Sequence, residues 1–130
     1  MDASVDEELV RAAAGALQRG YREGRHHVAA AVRCGQGEII TGLHVETSVG
    51  RVALCAEAIA IGSALSDGAA EILAVAAVNY PERDQGRLEP HVISPCGMCR
   101  ELIADYAPGA AVAMADGRWL RASDLLPGRS

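Results

Sequence analysis

Two short runs, Cys55-Ala56-Glu57 and Pro95-Cys96-Gly97-Met98-Cys99, constrain this chain more than any other feature. Cys96 and Cys99, three apart in a first helical turn, turn their sulfurs the same way. Cys55 opens a different apolar run, far upstream. A fold that uses the three thiols together must bring two separate helix starts to one point. Three thiolates leave the fourth position of a tetrahedral zinc open to solvent, which is the layout of a catalytic site. Glu57, just after the first thiol, can move protons without binding the metal.

The rest of the composition narrows the class. With 130 residues, the natural reading is one domain over 1–130. Half the chain is apolar, with one Trp, three Tyr and no Phe, so the core must be aliphatic and rich in Ala. The formal net charge of -5 argues against a polynucleotide partner, as does the lack of a basic, aromatic platform. No long apolar run or signal-peptide pattern is present, so the expectation is a soluble cytoplasmic protein with no membrane partner. Four cysteines in that setting read as metal ligands or reactive thiols rather than disulfides.

Taken in order, Ser4 and Glu7 predict a capping box opening a helix whose apolar face is Val5, Leu9, Ala12, Ala13, Ala16 and Leu17, with Gly20 as its stop. Val28–Val32 and Glu38–Val45 read as two strands joined by a Gly-rich turn at Cys34–Gly37. Leu54–Asp67 reads as a helix with Leu54, Ala58, Ile61 and Leu65 on one face and Gly68 as its C-terminal cap. Ile72–Val78 has the continuous apolar character of a central parallel strand, and Asn79–Pro90 that of a charged surface loop. His91–Ile93 fits a strand end or a helix entry. Ser94 as N-cap and Pro95 at the first helical position predict a helix bearing Cys96, Cys99, Ile103 and Tyr106 on one face. Ala110–Met114 and Arg118–Arg121 read as strands, with a final turn from Ser123 to Leu126. The order implies a mixed sheet covered by helices.

Helix starts suit such a metal centre, because their dipoles and free N–H groups stabilise thiolates. Three thiolates on a dication still leave the centre anionic, and Arg100, next to Cys99, is the nearby cation in sequence. Zinc deaminases of nucleobases combine this donor set with a proton-shuttling Glu and a Pro-Cys-x-x-Cys run. Glu57 would take a proton from water, deliver one to the ring nitrogen and help the amine leave. A lone Cys-x-x-Cys also fits thioredoxin-like redox chemistry. Cys34 could close a structural Cys₄ zinc, making the chain a non-catalytic interaction module. Its ordinary reading is a free thiol in a turn.

With these residues in hand, the chain resembles the cytidine deaminase superfamily, and within it the bacterial-type blasticidin S deaminases. The similar runs are His26-His27-Val28, Gly37–Ile40, Gly50-Arg51-Val52, Cys55–Gly62, Ser94–Leu102 and Asp105–Pro108. The resemblance implies a three-layer α/β/α fold with a five-stranded mixed sheet. It also implies a homotetramer whose sites borrow loops from neighbouring subunits. It carries zinc (Zn2+) ligation to Cys55, Cys96 and Cys99, and the proton shuttle to Glu57.

Ordinary cytidine deaminases hold the ribose with Asn-x-Glu at the end of the second strand, where this chain reads His44-Val45-Glu46. His44 can donate and Glu46 can accept a sugar hydrogen bond. The family also usually carries an aromatic and a Pro where His26 and His27 stand, and an Arg at Ala58. The resemblance thus implies hydrolysis of the 4-amino group of a cytosine nucleoside. Blasticidin S or a similar aminoacyl nucleoside comes first and cytidine or deoxycytidine second. Blasticidin S has a cationic guanidino tail, which Glu46, Glu82, Asp84 or Glu89 would suit. Arg51 is placed near the site or in a surface ion pair, and His91 at the core or surface.

Overall fold

The computed structural model describes residues 5–20, 27–45, 54–79 and 90–126. Helix α1 spans Glu7–Gly20. Asp6 caps it: its carbonyl accepts from Val10 N–H at 3.4 Å and its Oδ1 from Leu9 N–H at 3.2 Å. The cap is therefore two residues later than the expected Ser4, which lies outside the described residues. Glu7 sits with Glu8 in the first turn, where the helix dipole favours a negative charge. Leu9, Ala13, Ala16 and Leu17 are buried as the spacing predicts, whereas Val5 precedes the helix and is exposed.

Strand β1 (Val28–Cys34) and strand β2 (Ile39–Leu43) form an antiparallel hairpin pairing Ala29 with Leu43 and Arg33 with Ile39. Gly37 takes φ +95 in the connecting turn, a conformation open to glycine. Cys34, expected in that turn, is the last residue of β1 and fully buried. Helix α2 (Ala56–Ser66) follows. Gly68, at φ +87, donates to Leu65 C=O, and Ala69 donates to Ala64 C=O, which together close the helix as the sequence predicts.

Strand β3 (Ile72–Asn79), strand β4 (His91–Ile93), helix α3 (Gly97–Tyr106), strand β5 (Ala111–Ala113), strand β6 (Trp119–Arg121) and a 3₁₀ turn (Ala122–Leu125) complete the described chain. The sheet runs β2-β1-β3-β5-β6, with β4 as a sixth, short strand beside the end of β3. This is the expected five-stranded mixed sheet with one addition. β3 is central, but only its pairing with β5 is parallel; it is antiparallel to β1 and β4.

This topology decides where the helices start. β2 and β3 are both antiparallel to β1, and β5 is parallel to β3, so β2, β3 and β5 all point one way. α2 links β2 to β3 and α3 lies between β3 and β5, both steps moving the same way across the sheet. Crossovers of one hand then place both helices on one face, each starting at the carboxyl edge of the strands. The burial pattern agrees. Ala30, Val32, Val75, Ala77 and Val112 pack with Ala60, Ile61 and Ile103 of α2 and α3. Ala29, Ala31, Ala74, Ala76 and Val78 pack with α1 on the opposite face. Three layers result, as expected.

The helix faces are where the sequence misleads. α2 is apolar all round, so periodicity cannot select its inner face. Ala56, Ala60, Ile61 and Ala64 face inward, while Leu54 and Leu65 are exposed. Close approach explains the alanines: a Cβ on Gly42 of β2 would lie 2.6 Å from the Ala60 backbone nitrogen. On α3, Cys99 and Ile103 are buried but Tyr106 is 57% exposed. No described helix is long and apolar enough to cross a membrane.

Asp6 also anchors α1 to the sheet. Arg33 of β1 donates from Nε to Asp6 Oδ2 at 3.1 Å and from Nη2 to Asp6 Oδ1 at 3.0 Å. This guanidinium, offset in part by burial, holds the Asp6 carboxyl below its ordinary value. The stabilisation is complete above the ordinary carboxylate range and is lost as pH falls through the lowered Asp6 value. Asp6→Ala is expected to cost about 1 kcal/mol for the cap, plus the ion pair. Asp6→Asn keeps a capping oxygen and should lose only the ion pair. Urea unfolding across acid pH should show the wild-type advantage over Asp6→Asn shrinking as pH falls.

Candidate metal centre and active site

The carboxyl-edge helix starts meet. The Sγ atoms of Cys55, Cys96 and Cys99 all lie within 4.8 Å of one another. Cys55 is the N-cap residue of α2 and Cys96 that of α3, both in extended backbone. The sequence places Cys55 inside its helix and gives the α3 cap to Ser94. In the fold, each helix begins directly after its cysteine, and Cys99 lies in the first turn of α3. Ser94 is used otherwise: its Oγ accepts the Ala115 N–H at 2.9 Å, tying the segment before α3 to the β5–β6 turn.

A cavity of about 150 Å³ opens beside the sulfurs, lined by Val28, His44, Glu57, Ile93 and Ser94 with the cysteines and Ala56. Val28, His44 and Ile93 come from strand ends at the edge where the helices start. Larger hollows of about 400 and 510 Å³ lie elsewhere, beside Cys34 and along the outer face of α2, and hold none of the three clustered cysteines. Glu57 is only 5% exposed, and this desolvation raises its pKa. Burial likewise raises the thiols of Cys55 and Cys99, and the Glu57 charge adds to the rise at Cys99. Cys96 moves the other way, chiefly because the Cys99 N–H favours its thiolate, with Met98 N–H adding. Neither closes a full capping hydrogen bond to the sulfur.

The donor set fits zinc. Three thiolates about 2.3 Å from a tetrahedral ion would stand about 3.8 Å apart, within the spread seen here. Among the described residues the metal-ligating cluster has three members, leaving a coordination position for solvent or substrate. Cys34 is not one of them; it is buried in the core between sheet and α2, and burial followed by Glu38 and Asp67 raises its pKa. A Cys₄ site closed by Cys34 is thereby set aside. So is a simple Cys96–Cys99 redox pair, since the third sulfur stands beside them.

His44 lines the cavity, and its ring meets that of His27 edge-on with centroids 4.5 Å apart. His27 thus backs His44, a role visible in sequence only as two histidines at strand ends. His91 is exposed on β4. Glu46, His26, Arg51, Glu82, Asp84 and Glu89 lie outside the described residues.

A three-layer fold with three thiolates and a buried carboxyl at paired helix starts defines a zinc-binding deaminase. Residues 3–115 match the cytidine and deoxycytidylate deaminase zinc-binding region, and the chain belongs to that family of zinc-dependent hydrolases. A Bacillus cereus blasticidin-S deaminase is 50% identical over 107 residues, covering 82% of this chain and 76% of the relative. A Halalkalibacterium halodurans cytidine deaminase is 29% identical over 109 residues, covering 80% and 76%. The crystal structure of cytidine deaminase from Mycobacterium leprae superposes with a TM-score of 0.78 at 28% identity, covering 95% of this chain and 99% of that one.

One zinc per chain is expected by elemental analysis. Cys96→Ser and Cys99→Ser should each weaken binding beyond the about ten- to hundredfold of an outer-shell change, as read by chelator competition. Cys34→Ser should leave stoichiometry and affinity unchanged.

Proposed function

We propose that this protein hydrolyses the exocyclic 4-amino group of a cytosine nucleoside, giving a uracil product and ammonia. The observation that carries the reading is the buried Glu57 carboxyl lining the same small cavity as three clustered cysteine sulfurs. Cys55, Cys96 and Cys99 are the proposed ligands. Zinc held by them would supply a Lewis acid that acidifies an attacking water near neutral pH. Glu57, its pKa raised by burial, takes the two protons of the attacking water in turn, giving the first to the ring nitrogen and the second to the amine, which departs as ammonia. His44 donates to a hydroxyl of the sugar, and Glu46 accepts from one.

Blasticidin S, or a similar aminoacyl nucleoside, is the leading substrate. The 50% identical relative is a blasticidin-S deaminase, and His44 with its His27 backing replaces the Asn expected of a ribose clamp. Cytidine or deoxycytidine is the second reading, favoured by the cytidine deaminases among relatives and structural neighbours. Antibiotic resistance in the host would follow from the first reading. Side-by-side turnover of blasticidin S, cytidine and deoxycytidine, followed by ultraviolet absorbance, should give the highest kcat/KM for blasticidin S. A higher value for cytidine or deoxycytidine would select the second reading. No change with any of them would leave a non-catalytic zinc module.

Glu57→Gln should keep its zinc and lose activity by about 10²- to 10⁴-fold, the usual weight of general acid–base catalysis. An active Glu57→Gln enzyme would refute the shuttle role.

The working form is proposed to be a homotetramer in the cytoplasm. Its four cysteines are unpaired, which suits a reducing compartment. α2 carries one charged residue, the buried Glu57, and its outer surface, with Ala58, Ile59, Leu65 and two serines, is uncharged and uncovered in the lone chain. A helix apolar on all sides belongs in an interior. Leu54 and Met98, beside the ligands, are also exposed. Light scattering should give a mass four times that of the 13.5 kDa chain. A monomer at micromolar concentration would overturn the assembly.

A further inference from the structure

Cys96 is the most exposed of the three sulfur donors. It precedes the first turn of α3 in extended backbone, at φ -71 and ψ 171, so intrahelical bonding does not fix its own N–H side. Its φ is set by the plane of the Pro95–Cys96 peptide. One residue grips that plane and the next. Arg100 Nε donates to the Pro95 carbonyl at 2.8 Å, and Arg100 main-chain N–H donates to the Cys96 carbonyl at 2.9 Å. The second bond is the ordinary first link of the helix. The first is an addition, made by a half-buried side chain folding back over the helix start onto a buried proline.

Pro95 makes the arrangement stiffer, because its ring already fixes its own φ. Ser94 is held from the other side by the Ala115 N–H. The segment leading into Cys96 is therefore clasped at both residues that precede it. Arg100 is also the only cation on α2 or α3. Arg33 is committed to Asp6 and Glu8 on α1, and Arg118 to Asp116 in the β5–β6 turn.

We infer that Arg100 is a positioning residue of the metal centre: its Nε–H bond to Pro95 fixes the peptide plane that aims Cys96 Sγ at the sulfurs of Cys55 and Cys99, and holds the guanidinium charge at the start of the helix that carries two of the three ligands. The inference rests on the zinc reading of the three cysteines. Outer-shell partners of this kind orient a ligand and tune the metal. Bond and charge are separable here. Lysine keeps the charge without the planar Nε donor, and glutamine keeps a planar donor without the charge.

The test uses the full chain in its zinc-loaded form. Zinc Kd is measured by competition with a chromogenic chelator for wild type, Arg100→Ala, Arg100→Gln, Arg100→Lys and the surface control Arg118→Gln. Arg100→Ala should weaken zinc by about ten- to a hundredfold. Arg100→Gln and Arg100→Lys should each recover part of that loss, and Arg118→Gln should match wild type. The absorption of the cobalt-substituted protein should change with Arg100 and stay constant with Arg118. Melting of the metal-stripped proteins separates positioning from bulk stability. A variant that lowers apo Tm yet binds zinc within about threefold of wild type, roughly 0.65 kcal/mol, overturns the inference. Should Arg100→Ala fail to fold, Arg100→Gln and Arg100→Lys carry the same decision. A wild type that binds no zinc would strike the reading of the centre itself. Tight wild-type binding with unaltered affinity in every Arg100 variant would strike only the role of Arg100.

Discussion

Three thiol sulfurs and one carboxyl crowd a cavity with room for only a few water molecules, and such a collection of acids has to find a cation or stay protonated. Burial raises Cys55, Cys99 and Glu57 together, and only Cys96 is drawn toward its thiolate. A dication held by Cys55, Cys96 and Cys99 would change the balance: it would favour the thiolates, and the carboxyl would remain as the group able to exchange a proton. On the proposed reading, the sulfurs would hold charge in place, and Glu57, kept dry at the start of α2, would be free to cycle.

Everything larger than the site serves to place two helix starts together. Parallel direction of β2, β3 and β5 puts both at one edge, and a common crossover hand puts both on one face. Distance is the remaining variable, and small side chains set it. Ala30, Ala60, Ala64 and Ala77 meet in the layer between sheet and helices, and Gly42 has no Cβ where α2 comes nearest. An aromatic at any of these positions would push α2 outward and take Cys55 and Glu57 with it. The scarcity of aromatic residues is thus a geometric requirement as well as a compositional one.

Much of this is legible in the sequence because its strongest signals are local. Turn glycines, continuous apolar strands and the cysteine spacing each report a structure that neighbouring residues enforce, and the mixed sheet covered by helices and the metal cluster follow. The failures have a common cause. The inward face of α2 is unreadable because the helix is apolar on every side, so sheet contact chooses Ala60 over Leu65. The cap of α3 falls at Cys96 because Ser94 is claimed by the Ala115 N–H, a partner far along the chain. The cap of α1 falls at Asp6 because Arg33 on β1 holds that carboxylate in place. In each instance a long-range contact overrides a sound local preference. The pairing of His27 with His44 is of the same kind, since a ring contact between strand ends leaves no mark in residue spacing.

This separation between local and long-range signals bears on substrate choice. On the proposed reading, the donor set and Glu57 specify what is done to an exocyclic amine, and they would act alike on any cytosine ring delivered to them. Selection among nucleosides must come from groups that meet the sugar and its substituents, and of these the described chain offers His44 at the cavity wall. An imidazole differs from an Asn amide in reach and in its capacity for charge. The His44 ring also meets that of His27 edge-on. The proposed reading therefore puts the reaction in residues the family motif names, and the choice of substrate in the residues where this chain departs from it.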